Sequence, residues 1–244
     1  MNKTVLITGA SGGIGSAVAL EFAKRNYHIA LHYYTSEAEA IRLKEQLERN
    51  YQGKIFLFRA DLSSEEQIKA MVTDVIQQFG KIDVLINNAG IAIDTLYQDK
   101  TAENFRKTLD VNLIGTFLLS RLVGDTMYQN RTGKIIIVSS TNGIDQGFPM
   151  SLDYDASKAA LLSLTHNLAI QYAPYVNVNA VAPGWVKTKR EMEGLDKEYI
   201  ALEEQKILLH RFAEPEEIAK VIAFLASEDA SYINSEVLRI DGGH

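Results

Sequence analysis

Short apolar or β-branched runs alternate with longer segments of helical periodicity along the whole chain, and this alternation constrains the fold more than any single residue does. The runs are Thr4–Thr8, His28–Tyr33, Lys54–Arg59, Val84–Asn87, Lys134–Ser139, Val176–Val181 and Val237–Ile240. The helical segments are Gly15–Arg25, Ser36–Asn50, Ser64–Phe79, Thr101–Gln129 as one helix or two, Asp153–Ala173 and Pro215–Ala226. Several runs are apolar on successive residues, the pattern of strands covered on both faces. Strands that alternate with helices join through right-handed crossovers. The expected architecture is therefore α/β, a doubly wound, seven-stranded parallel sheet with helices on both faces. No Pro/Gly/Ser-rich linker divides the sequence, so residues 1–244 read as one domain. Ligands of such sheets sit beyond the C-terminal ends of the strands. Those ends direct attention to Thr8–Gly15, Tyr33–Ser36, Asp61–Leu62, Asn87–Gly90, Ser139–Met150 and Pro183–Arg211.

With 46% apolar and 23% charged residues, the chain has the make-up of an ordinary globular protein rather than a disordered or fibrous one. A net charge of −6 without a basic block argues against nucleic acid and anionic membrane as partners. Cys is absent, which removes disulfides, thiolate metal ligands, Cys nucleophiles and thiol redox chemistry together. His28 and His32 stand four apart, but a strand separates them by ~13 Å, too far to share a metal, and no metal site is expected. Met1-Asn2-Lys3-Thr4 leads straight into a strand-like run without a secretory pattern. The uncharged stretch from Ala159 to Val186 is broken by polar residues and by Pro174 and Pro183, unlike a membrane span. The expected location is cytoplasmic.

Thr4-Val5-Leu6-Ile7-Thr8 is followed by Gly9-Ala10-Ser11-Gly12-Gly13-Ile14-Gly15 and then by a helical segment, the order a pyrophosphate site needs. Gly9 can supply a tight turn, Gly13 lets backbone N–H groups approach phosphates, and Gly15 lets the helix start lie close to the strand. The spacing Gly-x-x-x-Gly-x-Gly differs from the Gly-x-Gly-x-x-Gly fingerprint and lacks the Lys-Ser/Thr ending of a nucleoside-triphosphate loop. Alone, it also suits a turn that only reverses the chain. A ribose-binding acid is expected roughly 20 residues farther on. There the sequence reads Leu31-His32-Tyr33-Tyr34-Thr35-Ser36, with no carboxylate before Glu37. Nothing in that stretch repels a 2′-phosphate, and the hydroxyls of Tyr33, Tyr34, Thr35 and Ser36 can bind one, so NADP(H) is favoured over NAD(H). Gly12, in contrast, supplies no positive charge where an Arg would have.

Three further patterns complete a set: Asn87-Asn88-Ala89-Gly90 after the fourth strand, Ser139-Ser140 after the fifth, and Tyr154-Asp155-Ala156-Ser157-Lys158 at a helix start. With Thr8-Gly9 and Gly13-Ile14-Gly15, they make the chain resemble the classical short-chain dehydrogenase/reductases. The resemblance runs through Pro183-Gly184 to Ile240-Asp241-Gly242-Gly243 and is strongest to the 3-oxoacyl-(acyl-carrier-protein) reductase branch. It implies a Rossmann fold, NADPH as reductant and a homotetramer, with a homodimer as the smaller option. It also implies that Asn112, Ser140, Tyr154 and Lys158 are catalytic. The cofactor residues are then Gly9, Ser11, Gly13, Ile14, Tyr33, Tyr34, Thr35, Asp61, Leu62, Asn88, Ala89, Gly90, Pro183, Gly184, Val186 and Thr188, beside Tyr154 and Lys158.

Elementary chemistry agrees with those roles. Tyr154 and Lys158 share a helix face, so the ammonium is expected to lower the phenol from ~10 and fit it as acid in reduction and base in oxidation. Ser140, at a strand end, can donate to a substrate carbonyl. By the resemblance, Lys158 also holds the nicotinamide ribose and Asn112 maintains a water-linked proton path. Taken singly, each residue has a plainer reading. Tyr154 is then a core residue, Lys158 a surface charge, Ser140 and Asn87–Gly90 turns, Asn112 a helix kink and Asp61 a helix cap.

The expected activity is NADPH-dependent reduction of a 3-oxoacyl thioester, carrier-bound or polyketide-like, to the 3-hydroxyacyl product. The alternatives are a dehydrogenase/reductase of a small alcohol, sugar or cyclic ketone, and a nucleotide-binding regulatory protein without turnover. Two departures bear on the substrate. The Ser140–Tyr154 interval is one residue longer than is usual in the branch, which affects the loop of Asp145, Gln146, Gly147, Phe148 and Met150. Arg131 matches one basic place used for carrier docking, but Ala173-Pro174-Tyr175-Val176 lacks the second. Residues of about 185–211, with Trp185, Lys187, Thr188, Lys189 and Arg190, look like a substrate lid.

Overall fold

The computed structural model describes residues 2–244. Its strands are β1 (Thr4–Ile7), β2 (His28–Tyr33), β3 (Ile55–Arg59), β4 (Val84–Asn87), β5 (Gly133–Val138), β6 (Val176–Pro183) and β7 (Val237–Ile240). They form one seven-stranded sheet in the order β3-β2-β1-β4-β5-β6-β7, with every neighbouring pair parallel. The chain starts in the middle, winds outward to β3, and crosses back to lay β4 beside β1. This is the doubly wound Rossmann topology, and its reversal of direction between β1 and β4 opens a crevice above their C-terminal ends.

The helices are α1 (Gly13–Lys24), α2 (Glu37–Asn50), α3 (Glu65–Phe79), α4 (Ala102–Leu109), α5 (Thr116–Gln129), α6 (Leu152–Tyr172), α7 (Lys189–Gly194), α8 (Lys197–Lys206) and α9 (Pro215–Leu225). Successive strand residues serve opposite faces. Val5, Ile7, Ile136 and Val138 pack with Val18, Phe22, Ile218 and Ile222 of α1 and α9. Leu6, Ile135 and Ile137 pack with Ile68, Val72, Leu119, Val123, Leu161 and Leu168 of α3, α5 and α6. This two-sided burial is why the strands are apolar on consecutive residues. Each fully buried Leu or Ile contributes roughly 1.5–3 kcal/mol.

The segment Thr101–Gln129 is two helices joined by a wide π-type turn, Asp110–Gly115. Gly115 makes the close packing there feasible, because a Cβ at that position would lie 2.3 Å from the Leu62 carbonyl oxygen. The stretch after Pro183 is more ordered than a loop, since it contains α7, capped by Thr188, and α8, capped by Asp196. Among the described residues no helix is long and apolar enough to cross a membrane.

Candidate active site

The glycine-rich turn lies where β1 ends and α1 begins. Gly9 has φ +60°, and a Cβ on it would approach the Ala89 Cα to 3.0 Å. A Cβ on Gly15 would lie 2.2 Å from the Gly9 carbonyl oxygen, so helix and turn touch through backbone alone. No side chain caps α1 and its first turn carries no acid, which leaves its N–H donors and positive dipole end open to an anion. The turn is fixed from two sides. His32, buried at the end of β2, accepts from the Gly9 N–H at Nδ1 (3.1 Å), and its Nε2 lies 3.0 Å from the Ala60 carbonyl. These contacts fix a neutral tautomer with the proton on Nε2, and burial lowers the imidazole's pKa. Asn88 Nδ2 donates to the carbonyls of Thr8 (2.9 Å) and Gly9 (3.1 Å), while the N–H groups of Asn88 and Ala89 donate to Thr8 Oγ1.

Ser11, Gly13 and Ile14 thus share one mouth with Asn88, Ala89 and Gly90. A Cβ on Gly90 would come 3.4 Å from Asn112 Oδ1 and 3.5 Å from Lys158 Nζ. Thr188 reaches over from the far side, and a Cβ on Gly13 would meet its Cγ2 at 2.6 Å. Pro183 pairs with Ile240, the Gly184 N–H donates to the Ile240 carbonyl, and Val186 bridges to Ala213, so this segment is held beside the crevice. Open helix donors at one end and glycine gaps at the other fit the phosphates and nicotinamide end of a dinucleotide.

Beyond β2 the hydroxyls have partners. Tyr33 donates to Glu37 Oε1 at 2.9 Å, and the Asp61 carboxylate beside Tyr34 pushes that phenol's pKa up. Asp61 also accepts from Ser63 N–H (2.9 Å) and Oγ (2.7 Å); burial works against ionisation, but these donors hold its carboxyl below the usual range. Leu62 is buried and faces the core, whereas Thr35 is exposed.

Ser140, Tyr154 and Lys158 converge at the end of β5. The Ser140 hydroxyl accepts from the Asn142 N–H at 3.2 Å and lies close enough to the Tyr154 phenol to favour its ionised form, and Lys158 Nζ stands 5.3 Å from the Tyr154 ring centroid. Lys158 is buried, with Nζ donating to the Val138 carbonyl at 2.8 Å. A Cβ on Gly143 would clash with the Lys158 carbonyl carbon at 2.6 Å, so the turn after Ser140 can seat on α6 only with glycine there. Burial pushes Tyr154 up to about 12, with Glu191 and Asp155 adding to the rise and Ser140 and Arg190 opposing it. The expected lowering by Lys158 is absent, because the ammonium lies over the ring face and bonds a carbonyl. Burial lowers Lys158 to about 8. Asn112, fully buried in the π-type turn, clasps Ile91 through both backbone groups (2.8 and 2.9 Å) and reaches Ser157 Oγ at 3.0 Å.

The segment of residues 92–94 is pinned residue by residue, by groups of which the sequence points only to Arg190, in the lid segment. Arg190 Nη2 donates to the Ala92 carbonyl at 3.3 Å, Lys100 Nζ donates to the Ile93 carbonyl, and Ser151 Oγ donates to Asp94. Lys100 also pairs with Asp153 at 2.8 Å, both side chains almost wholly removed from water, and Thr108 Oγ1 donates to Asp153 at 2.6 Å. Burial works against that carboxylate, but Lys100 and Thr108 hold its pKa below the usual range. Asp153 immediately precedes Tyr154. No local signal marks the pair, whose members are 53 residues apart in the chain. The longer loop after Ser140 is anchored by Asn142 Nδ2 and Phe148 N–H, both donating to Asp155, and by Arg239 to Asp145 at 2.7 Å.

A family model described as Enoyl-(Acyl carrier protein) reductase matches residues 9–244. The chain is 38% identical over 242 residues to the 3-oxoacyl-(acyl-carrier-protein) reductase of Thermotoga maritima, covering 99% of this chain and 97% of that one. It is 33% identical to glucose 1-dehydrogenase 2 of Bacillus subtilis, over 99% of this chain and 94% of that one. Among solved structures, ElxO with NADP bound is similar with a TM-score of 0.90 at 34% identity, covering 99% and 98% of the two chains.

Proposed function

From the premise that the chain belongs to the short-chain dehydrogenase/reductase family of oxidoreductases, we propose that it reduces 3-oxoacyl thioesters to 3-hydroxyacyl products with NADPH. The observation that carries the reading is the meeting of the Ser140 hydroxyl, the Tyr154 phenol and the buried Lys158 ammonium at the mouth of the crevice. Bound NADPH supplies the hydride. Ser140 donates a hydrogen bond to the substrate carbonyl and stabilises the negative charge that grows on its oxygen. Tyr154, at about 12, stays protonated at neutral pH and gives its proton to that oxygen. Lys158, at about 8, is mostly ammonium at neutral pH, and in this reading it holds the nicotinamide ribose. Asn112 holds the Ile91 backbone and so keeps a polar route out of the site.

The cofactor residues named from the sequence take the remaining roles in this reading. Gly9, Ser11, Gly13 and Ile14 receive the phosphates, Asp61 and Leu62 border the adenine, and Asn88, Ala89, Gly90, Pro183, Gly184, Val186 and Thr188 enclose the nicotinamide end. The segment of about 185–211 acts as the lid. A homotetramer accords with the apolar exposure of Ile114 in the π-type turn, Phe117 and Tyr128 on α5 and Ile170 on α6, and the cytoplasm is the location that goes with this reading. For a carrier-bound substrate, Arg131 stands exposed with its guanidinium 5.2 Å from the Tyr175 ring centroid. The likeness to a glucose 1-dehydrogenase favours a second reading, oxidation of a sugar or small alcohol on the same residues.

Initial rates at 340 nm separate the two. NADPH consumption with a 3-oxoacyl thioester, exceeding both NADH consumption and NADP reduction by glucose, is the expected result. Faster turnover of glucose than of the thioester overturns the reading.

A further inference from the structure

We infer that Arg59 selects the 2′-phosphate of NADP(H), an assignment that rests on the NADPH reading and deepens it. Tyr33 and Arg59 are register partners at the ends of β2 and β3, so Arg59 leaves the sheet level with the turn of Tyr34, Thr35 and Ser36. Its Nε donates to the Tyr34 carbonyl at 3.2 Å, which lays the guanidinium across that turn. Among the described residues Arg59 makes no ion pair, and its side chain is exposed. The two terminal nitrogens therefore remain for a bidentate contact with a phosphate, which a guanidinium fork matches in shape and charge.

The surroundings make this charge decisive. Both phenols at the end of β2 already face carboxylates, for Tyr33 donates to Glu37 and Tyr34 lies beside Asp61. Those carboxylates would repel a phosphate, and Gly12 brings no cation from the glycine turn. Burial and Glu37 raise the pKa of Tyr33, and Asp61 raises that of Tyr34; the Arg59 charge opposes both without reversing either, so it reaches both phenols. Without Arg59, a site flanked by Glu37 and Asp61 would admit a ribose hydroxyl more readily than a phosphate.

The test reads binding rather than turnover. Dissociation constants of NADPH and NADH, from nucleotide fluorescence, are measured for the wild type, Arg59→Gln and Arg59→Lys, with adenosine 2′,5′-bisphosphate and 5′-AMP as competing probes. Arg59→Gln should weaken NADPH by at least ~tenfold while NADH stays within about twofold, and Arg59→Lys should fall between. The preference for the bisphosphate over 5′-AMP should disappear in the Gln variant. If the wild type prefers NADPH and Arg59→Gln leaves the NADPH:NADH ratio unchanged, the Arg59 assignment falls and the cofactor reading stands. If the wild type itself binds NADH more tightly than NADPH, the cofactor reading falls, and the assignment falls with it.

Discussion

At the glycine-turn end of the crevice, Gly9, His32, Asn88 and Thr8 are joined by neutral contacts, most of them to backbone. At the catalytic end, Lys100, Asp153 and Lys158 are charges withdrawn from water, and each is held by a partner on a different element. The neutral end presents donors to a charged ligand, so it gains from having no fixed charge of its own. In the proposed reaction the catalytic end fixes one phenol and one hydroxyl against the reacting carbon, and buried charge pairs penalise departures from their one geometry. One crevice therefore combines a region that tolerates substitution of charge with a region that does not.

The sharpest way to break this comparison is at the buried pair. Lys100→Met leaves Asp153 buried beside Thr108 alone and should lower stability by about 3–5 kcal/mol in urea unfolding. Combining it with Asp153→Asn should recover most of that loss. A double variant as unstable as the single would mean that Lys100 acts through packing and not through charge.

The neutral end should respond to shape instead. In Gly15→Ala the new Cβ falls on the Gly9 carbonyl, which cannot rotate away, and a stability loss of about 2–3 kcal/mol is expected. In Gly13→Ala its nearest contacts all belong to Thr188, Cγ2 at 2.6 Å and Cβ at 2.7 Å, whose segment can shift, so stability should fall by less than in Gly15→Ala while NADPH affinity drops about tenfold. Unfolding curves and nucleotide fluorescence on the two variants check this order. Equal loss of stability in both would contradict the geometry.

The smallest effect is one of pH. The folded pKa of His32 lies below its unfolded value of ~6.5. The unfolded chain therefore binds the proton more readily, and the contribution of His32 is present above the unfolded value and lost as pH falls through the folded one. Between about pH 7.5 and pH 5, the wild type should lose more stability than His32→Asn, measured by urea midpoints. Parallel curves would show that the ring is not held neutral.

Much of this architecture was legible because its causes are local. Consecutive apolar residues in Val5-Leu6-Ile7 and Ile135-Ile136-Ile137 announce strands buried on both faces, and Tyr154 and Lys158 share a helix face at a spacing of four. The Lys100–Asp153 pair was not legible, because the segment that leads into α4 meets the start of α6 only in the folded chain. The π-type turn at Asp110–Gly115 was likewise hidden, since it depends on how closely Leu62 approaches Gly115. The direction of the Tyr154 shift was misread for the same reason. Spacing places an ammonium near the phenol, but only the fold reveals that burial outweighs it.

The central claim is that Tyr154 supplies the proton, its phenol mattering far more for turnover than for holding the nucleotide, and Tyr154→Phe with a 3-oxoacyl thioester and NADPH tests it most directly. The account predicts a fall in kcat of at least ~100-fold with the dissociation constant of NADPH unchanged within about twofold. A variant that retains kcat within about threefold, or that loses NADPH binding in proportion to its activity, would contradict it.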